Sequence, residues 1–132
     1  MHVSGRWHTA RRAVTYASET LALASLEVLV HCDLDLVPPD LVSIEMDVPE
    51  SVRISLISAS DLPRNWNRCP VPITLQRLGN AWLDAGAEAV LRVPSAVIPT
   101  ESNFLLNPLH PDGARIRVVG RRRFSFDERL LK

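Results

Sequence analysis

The stretch AVTYASETLALASLEVLVH, from Ala13 to His31, decides the fold that the sequence predicts. Its first five residues are typical of a short strand, with Tyr16 near its end. From Ser18, which is a good helix N-cap, the stretch continues as a run of helix-favouring Leu and Ala residues. This predicted helix is apolar on almost every side, so we expect it to be buried. Glu27 and His31 are four residues apart and project from the same side of it, where a carboxylate needs a partner or a cleft.

The chain on either side of this stretch alternates between strand and helix signals. Leu41 to Val48 alternates strictly between apolar and polar residues and predicts a half-buried strand. Ser51 to Leu56 is a weaker strand candidate. A helix is predicted from an N-cap at Thr74 to Asp84, with Gly86 as its stop, and Gly79 inside that helix indicates a close packing neighbour.

The last third of the chain adds short strands. Val90 to Val93 reads as a strand ended by Pro94, and residues 95–107 form an apolar segment with interspersed polar residues. Arg115 to Val119 and Arg122 to Phe126 predict two strands about a turn at Gly120. The pattern as a whole predicts one α+β domain over residues 1–132, a compact mixed sheet with flanking helices.

Composition excludes several classes of protein. Lys plus Arg and Asp plus Glu number 15 each, so no global basic field favours nucleic acid. Cys32 and Cys69 lie far apart and lack the spacing of a zinc site, which is typical of reduced thiols in a cytoplasmic protein. The N-terminus has no secretory h-region, and no apolar run is long enough to span a bilayer. We therefore expect a soluble cytoplasmic protein that contacts no membrane.

Residues with chemistry are scattered, because the sequence lacks GxGxxG, GxxxxGK[ST], HExxH and GxSxG. Arg6, Tyr16, Glu27 and Ser95 remain as a small constellation. Each also has a purely structural interpretation: a surface arginine, a core aromatic, a buried pair with His31, and a turn residue after Pro94. Asn103 and Asn107 would usually cap loops, and the three tryptophans would usually be core residues or face a partner.

Several segments together resemble one known family. In collinear order over nearly the whole chain, the following match the RES-domain family, the toxins of Xre–RES type II toxin–antitoxin systems in bacteria: GRWH (Gly5 to His8), VTYAS (Val14 to Ser18), LEVLVH (Leu26 to His31), LGNAWL (Leu78 to Leu83), VPSAVIPTESNFLLNPLHPD (Val93 to Asp112) and FSFDERL (Phe124 to Leu130).

The resemblance implies a fold similar to diphtheria-toxin-like ADP-ribosyltransferases and an enzyme that consumes NAD as its substrate, with no cofactor and no metal. Such proteins deplete NAD by hydrolysis or phosphorolysis of the nicotinamide–ribose bond, and some ADP-ribosylate a protein. The Arg, Glu and Ser of the family name match Arg6, Glu27 and Ser95, and the family's active-site Tyr matches Tyr16. His31 and Asn107 also lie in matching motifs, and the resemblance implies that they bind the substrate.

The implied chemistry suits these residue types. Loss of nicotinamide leaves an oxocarbenium-like ribosyl cation, which a carboxylate such as Glu27 stabilises. Glu27 could also bond the ribose 2′-hydroxyl. Arg6 offers a forked donor for the pyrophosphate or the carboxamide, and Tyr16 a flat face for nicotinamide. Ser95 would complete the pocket by hydrogen bonding.

The resemblance also implies partners. An antitoxin with an Xre-type helix-turn-helix part would cover the cleft and make any DNA contact, and the toxin would pair with itself inside a hetero-oligomeric complex. Family members have a strand and a glycine-rich loop ahead of the GRW segment, which we expect to be missing here with its ligand contacts. Two other functions stay open: an inactive antitoxin-binding module and an RNase toxin, the latter disfavoured by neutral charge.

Overall fold

A computed structural model describes residues 5–132 of the chain. The strand that we expect to be missing would lie ahead of Gly5, so this prediction falls outside the described residues. Residues 5–132 fold as an α+β protein with two α-helices and six strands, which confirms the predicted class. In chain order the elements are β1 (Thr15–Ser18), α1 (Leu21–His31), β2 (Val42–Asp47), β3 (Ile54–Leu56), α2 (Ile73–Ala85), β4 (Val90–Pro94), β5 (Ser102–Leu106) and β6 (Arg117–Arg123).

Four of the strands form the main sheet in the order β1-β5-β4-β3, and β2 pairs with β6 in a separate ribbon. Strand β5 runs antiparallel to both its neighbours, whereas β3 and β4 are parallel. Parallel strands require a crossover connection, and α2 provides it between β3 and β4. The main sheet is therefore mixed, as predicted.

The larger core lies between α2 and one face of the main sheet. Leu75 and Trp82 of α2 pack with Leu91, Val93 and Leu105, which alternate with residues of the opposite face along β4 and β5. Two further tryptophans complete this cluster: Trp7 and Trp66. All three tryptophans are thus core residues, as the structural interpretation predicted.

The opposite face of the sheet packs against the ribbon. Val90 and Leu106 form a second cluster with Val52 and Ala89, and Met46 of β2 packs on its edge. Strand β4 is consequently buried on both faces except at Arg92, which explains its nearly continuous apolar sequence.

Gly79 allows α2 to approach the N-terminal loop closely. A Cβ atom built on Gly79 would collide with the main-chain carbonyl of Trp7. The predicted close neighbour is thus confirmed. The predicted stop at Gly86 is confirmed as well, since Gly86 has a left-handed φ of 62° and its N–H donates to the Trp82 carbonyl.

The prediction that α1 is buried is wrong. Leu23 is its only fully buried residue, whereas Leu21 and Val30 are more than half exposed. The helix contacts β1 and buries only part of its surface, so its apolar character does not reflect burial within this chain.

Both predicted helix N-caps are also wrong. Ser18 is the last residue of β1, and Thr20 caps α1 by accepting a hydrogen bond from the Leu23 N–H at 3.1 Å. Thr74 lies inside the first turn of α2, because Pro72 occupies the N-cap position and its carbonyl accepts the Leu75 N–H.

Two strand predictions need correction. Residues 95–107 contain β5, a central strand that the sequence did not reveal. The two strands predicted about Gly120 are one continuous strand, β6, and Gly120 lies opposite Glu45 where a bulge shifts the register of the ribbon. A glycine at a bulge mimics a turn signal in sequence.

Cys32 and Cys69 are both free, as predicted, with Cys32 partly buried and Cys69 exposed. Between residues 5 and 132, neither helix has the length and apolar character that crossing a membrane requires.

Candidate active site

A cleft of about 790 Å³ opens between α1, β1 and the N-terminal loop. Its volume falls within the range of roughly 300–1,000 Å³ that is usual for small-molecule sites. The walls are mostly apolar, with a few polar side chains converging from different elements. The residues with chemistry that line it are Arg6, His8, Arg12, Tyr16, Ser18, Glu27, His31 and Asn103.

Glu27 enters the cleft from the middle of α1, where its carboxylate meets the turn after β4. Its Oε2 atom accepts a hydrogen bond from the hydroxyl of Ser95 at 3.1 Å. Ser95 is fully buried, and its oxygen also accepts the main-chain N–H groups of Val97 and Ile98, both at 3.1 Å. Ser95 therefore anchors Glu27 from behind the cleft wall.

Asn103 is a second partner of Glu27 and not the loop cap that its residue type predicts. It lies on β5 directly opposite Ser18 of β1, so the two side chains share one face of the sheet. The Ser18 hydroxyl donates to Asn103 Oδ1 at 2.6 Å, and Asn103 Nδ2 donates to Glu27 Oε2. Nothing in the sequence signals this pair, because its recognition requires the β1–β5 register.

Tyr16 lies on the same face of β1, two residues before Ser18. Its hydroxyl contacts His8 Nδ1 at 2.7 Å and accepts the Trp7 N–H at 3.4 Å. The hydroxyl also rests against Gly5, where any Cβ atom would meet it at 2.6 Å. Because this surrounding excludes water from the oxygen, burial raises the pKa of Tyr16 to about 12, and the Trp7 N–H lowers it only in part.

Tyr16 is consequently a neutral phenol at physiological pH and keeps its proton. The contact with His8 Nδ1 holds the hydroxyl beside the N-terminal loop. Tyr16 itself is 41% exposed, so its ring offers a flat apolar surface to the cleft while its hydroxyl is occupied.

Arg6 holds the N-terminal loop to the segment ahead of α2. Its Nη1 atom donates to the main-chain carbonyls of Trp66 at 3.0 Å and Arg68 at 3.2 Å, and Nη2 lies 3.7 Å from Cys69 Sγ. Arg6 therefore lines the cleft and also fixes one of its borders.

Arg12, the second arginine of the cleft, forms a bidentate ion pair with Asp84 at 2.9 and 3.1 Å. The pair lowers the pKa of Asp84. It also raises the pKa of Arg12.

The structure brings most of the predicted site residues together. Arg6, Tyr16, Glu27 and His31 line the cleft, and Ser95 contacts it through Glu27. Asn107 lies elsewhere: it is buried beside the main sheet, and its side chain accepts the Leu109 N–H at 3.1 Å.

Within the described part of the chain, His, Cys, Asp and Glu side chains do not assemble in threes around any point that could hold a metal ion. The polar groups of the cleft are instead arranged around a single carboxylate. One oxygen of that carboxylate accepts from Asn103 of β5 and from Ser95 in the turn after β4, and no residue between 5 and 132 donates to the other, Oε1. Such an arrangement can stabilise a positive charge or accept a hydrogen bond from a hydroxyl group.

The fold and this cleft define a small α+β protein whose cleft is built around one carboxylate. Residues 1–127 match the model of the RES domain. The chain belongs to the RES-domain family.

Characterised relatives resemble the chain over nearly its whole length. A protein named Toxin Res from Photorhabdus laumondii is 38% identical over 130 residues, covering 97% of this chain and 82% of that protein. The Prs ADP-ribosylating toxin of a Sphingobium species is 33% identical, covering 97% and 81%. A Toxin Res from Yersinia enterocolitica is 35% identical, covering 96% and 83%.

Proposed function

We propose that this RES-domain protein is a toxin that consumes NAD by breaking the bond between nicotinamide and ribose. The observation that carries the proposal is the Glu27 carboxylate, held in the cleft by Ser95 and Asn103 through one oxygen. A relative at 33% identity is named an ADP-ribosylating toxin, and ADP-ribosyl transfer from NAD breaks this same bond.

The cleft residues suit the separation of charge in that reaction. As the bond from ribose C1′ to the pyridinium nitrogen breaks, its electron pair goes to the nitrogen and nicotinamide leaves as a neutral molecule. The sugar becomes an oxocarbenium-like cation, which the negative charge of Glu27 stabilises. An acceptor then bonds to C1′ and loses its proton.

The remaining groups bind and orient the substrate. The exposed ring of Tyr16 offers a stacking surface for nicotinamide, while its hydroxyl stays on His8. Arg6 holds the border of the cleft through the Trp66 and Arg68 carbonyls and Cys69 Sγ, which leaves its Nε–H and one Nη2 hydrogen for polar parts of the dinucleotide.

The first prediction concerns the reaction itself. The purified protein should release nicotinamide from NAD, and Glu27→Gln should slow this release by about 10²–10³-fold, since it removes the charge but keeps the shape of the side chain. Chromatography of the released nicotinamide measures the rate. Glu50→Gln is the matched control, because Glu50 is exposed and outside the cleft.

Absence of nicotinamide release by the wild-type protein would refute the proposal. Equal rates for wild type and Glu27→Gln, with circular dichroism showing both folded, would remove Glu27 from the mechanism. Mass spectrometry of the sugar product, with and without inorganic phosphate, separates hydrolysis from phosphorolysis.

A protein side chain is a second candidate acceptor, favoured by the name of the Sphingobium relative. Incubation of a bacterial lysate with labelled NAD would then transfer label to a protein band, and Glu27→Gln would abolish the transfer. Pairing with a helix-turn-helix antitoxin, self-association of the toxin and a cytoplasmic location stay predictions that co-purification and cell fractionation test.

A further inference from the structure

The hydroxyl of Ser95 has only one way to place its proton. Its oxygen accepts two main-chain N–H groups, from Val97 and Ile98, and a serine hydroxyl carries a single hydrogen. That hydrogen must serve the remaining contact, which is the one to Glu27 Oε2. Ser95 is therefore an obligatory donor to the carboxylate.

The amide of Asn103 is oriented by a similar argument. Its two ends contact Ser18 Oγ and Glu27 Oε2. If the amide were turned over, its oxygen would face the carboxylate oxygen with no hydrogen between them, which is repulsive. With Oδ1 toward Ser18, the Ser18 hydroxyl donates to the amide and the amide donates to Glu27, so every contact has one hydrogen.

We infer that Ser18 and Asn103 are positioning residues for the reaction, acting as a hydrogen-bond relay that fixes Glu27 from the sheet. Asn103 and Ser95 occupy Oε2 and leave Oε1 as the oxygen available to a molecule in the cleft. The inference deepens the proposed function and, for its catalytic part, rests on it.

The pairing of β1 with β5 holds the two relay residues in fixed positions. Ser18 and Asn103 are directly paired across β1 and β5, and both strands are held by ladder hydrogen bonds within the main sheet. Glu27 lies on α1, Asn103 on β5 and Ser95 in the turn after β4. Three separate elements therefore meet at Glu27 Oε2. A side chain held in this way loses little freedom when the charged transition state forms.

Both relay residues also line the cleft, so a direct contact with substrate is the alternative. The two roles differ in kinetics. A group that only orients Glu27 lowers kcat and leaves KM unchanged, whereas a group that binds the substrate raises KM. A relay also predicts that its members depend on one another, because Ser18 acts only through Asn103.

The experiment measures nicotinamide release by wild type, Ser18→Ala, Asn103→Ala and the double variant. We expect kcat to fall about tenfold in Ser18→Ala and about a hundredfold in Asn103→Ala, with KM unchanged. The double variant should equal Asn103→Ala alone. Ser18→Thr keeps the hydroxyl and should restore the rate, and Ser25→Ala is the control, since the Ser25 hydroxyl bonds the Leu21 carbonyl outside the cleft.

A second readout does not depend on activity. The side-chain NH₂ signals of Asn103 in a nitrogen-edited NMR spectrum, assigned by their loss in Asn103→Ala, should move in both Ser18→Ala and Glu27→Gln but stay in place in Ser25→Ala. Signals that respond to neither relay partner would overturn the inference. Additive rate losses or a raised KM would overturn it as well, with the proposed function intact.

The two proposals can thus fail separately. If wild type releases no nicotinamide, the proposed function is refuted, and the NMR signals still decide whether the relay holds Glu27. If wild type is active and Ser18→Ala matches it in rate and spectrum, the relay is refuted and the function stands.

Discussion

The hydroxyl of Tyr16 is enclosed by Gly5, Trp7 and His8, and this burial changes the pKa of the residue. Burial raises its pKa to about 12, against about 10 for a phenol in water. The chain contains one tyrosine, so the ultraviolet absorbance of the phenolate reports on this residue alone. We predict a titration midpoint near 12 in the folded protein and near 10 in urea, and a folded-state midpoint near 10 would contradict the enclosed hydroxyl.

The raised pKa of Tyr16 also makes the free energy of unfolding depend on pH. Because the folded-state pKa is higher than the unfolded value, the unfolded chain loses the phenol proton first as the pH rises. The contribution of Tyr16 to the free energy of unfolding is complete below about pH 10 and is lost between about pH 10 and 12. Chemical denaturation across that interval would show the fall.

The candidate site was predictable from sequence where local pattern and family resemblance agreed. Tyr16 at a strand end and Glu27 in an apolar helix both lie in the cleft. The role of Asn103 was not predictable. It depends on the pairing of β1 with β5, which places Asn103 opposite Ser18 although the two residues are 85 positions apart in the sequence. Asn107, in contrast, has the structural role that its type usually has: it caps a loop.

At the level of elements, α2 and the N-terminal loop pack closely because Gly79 has no side chain. In an open helix, Gly→Ala stabilises by about 1 kcal/mol. At Gly79 the added methyl group would collide with the Trp7 carbonyl, so we predict that Gly79→Ala destabilises the protein by about 1–3 kcal/mol.

Thermal and denaturant unfolding measure this difference. Gly120→Ala is the control, because a Cβ at Gly120 would meet its nearest neighbour, the Glu45 side chain, at an ordinary 3.6 Å. A Gly79→Ala variant as stable as wild type would show that α2 can move away from Trp7 without cost.

Strand β5 and the cap of α1 show why some elements were missed. Ser102 and Asn103 open β5 with polar residues that are typical of a loop, and only pairing with β1 and β4 makes them a strand. Ser18 has the correct residue type for an N-cap, but the sheet takes its hydroxyl and Thr20 serves instead. Tertiary contacts overrode local preference in both cases.

At the scale of the whole molecule, substrate binding should stabilise the fold. Glu27→Gln is expected to bind NAD without consuming it, so NAD should raise its unfolding temperature in a concentration-dependent way. At about 100 times the dissociation constant the gain would be about 2.7 kcal/mol. ADP-ribose, which lacks the pyridine, tests how much of this gain nicotinamide supplies, and no shift with NAD at saturating concentrations would contradict a dinucleotide site.

The order of the site residues along the chain has a consequence during protein synthesis. Glu27 comes early, whereas Ser95 and Asn103 come in the last third of the sequence, and β2 must wait for β6 to pair. During synthesis, a nascent chain on the ribosome therefore exposes Glu27 long before it can be anchored. For the proposed toxin, the carboxylate is thus held in place only after the ribosome has translated past Asn103.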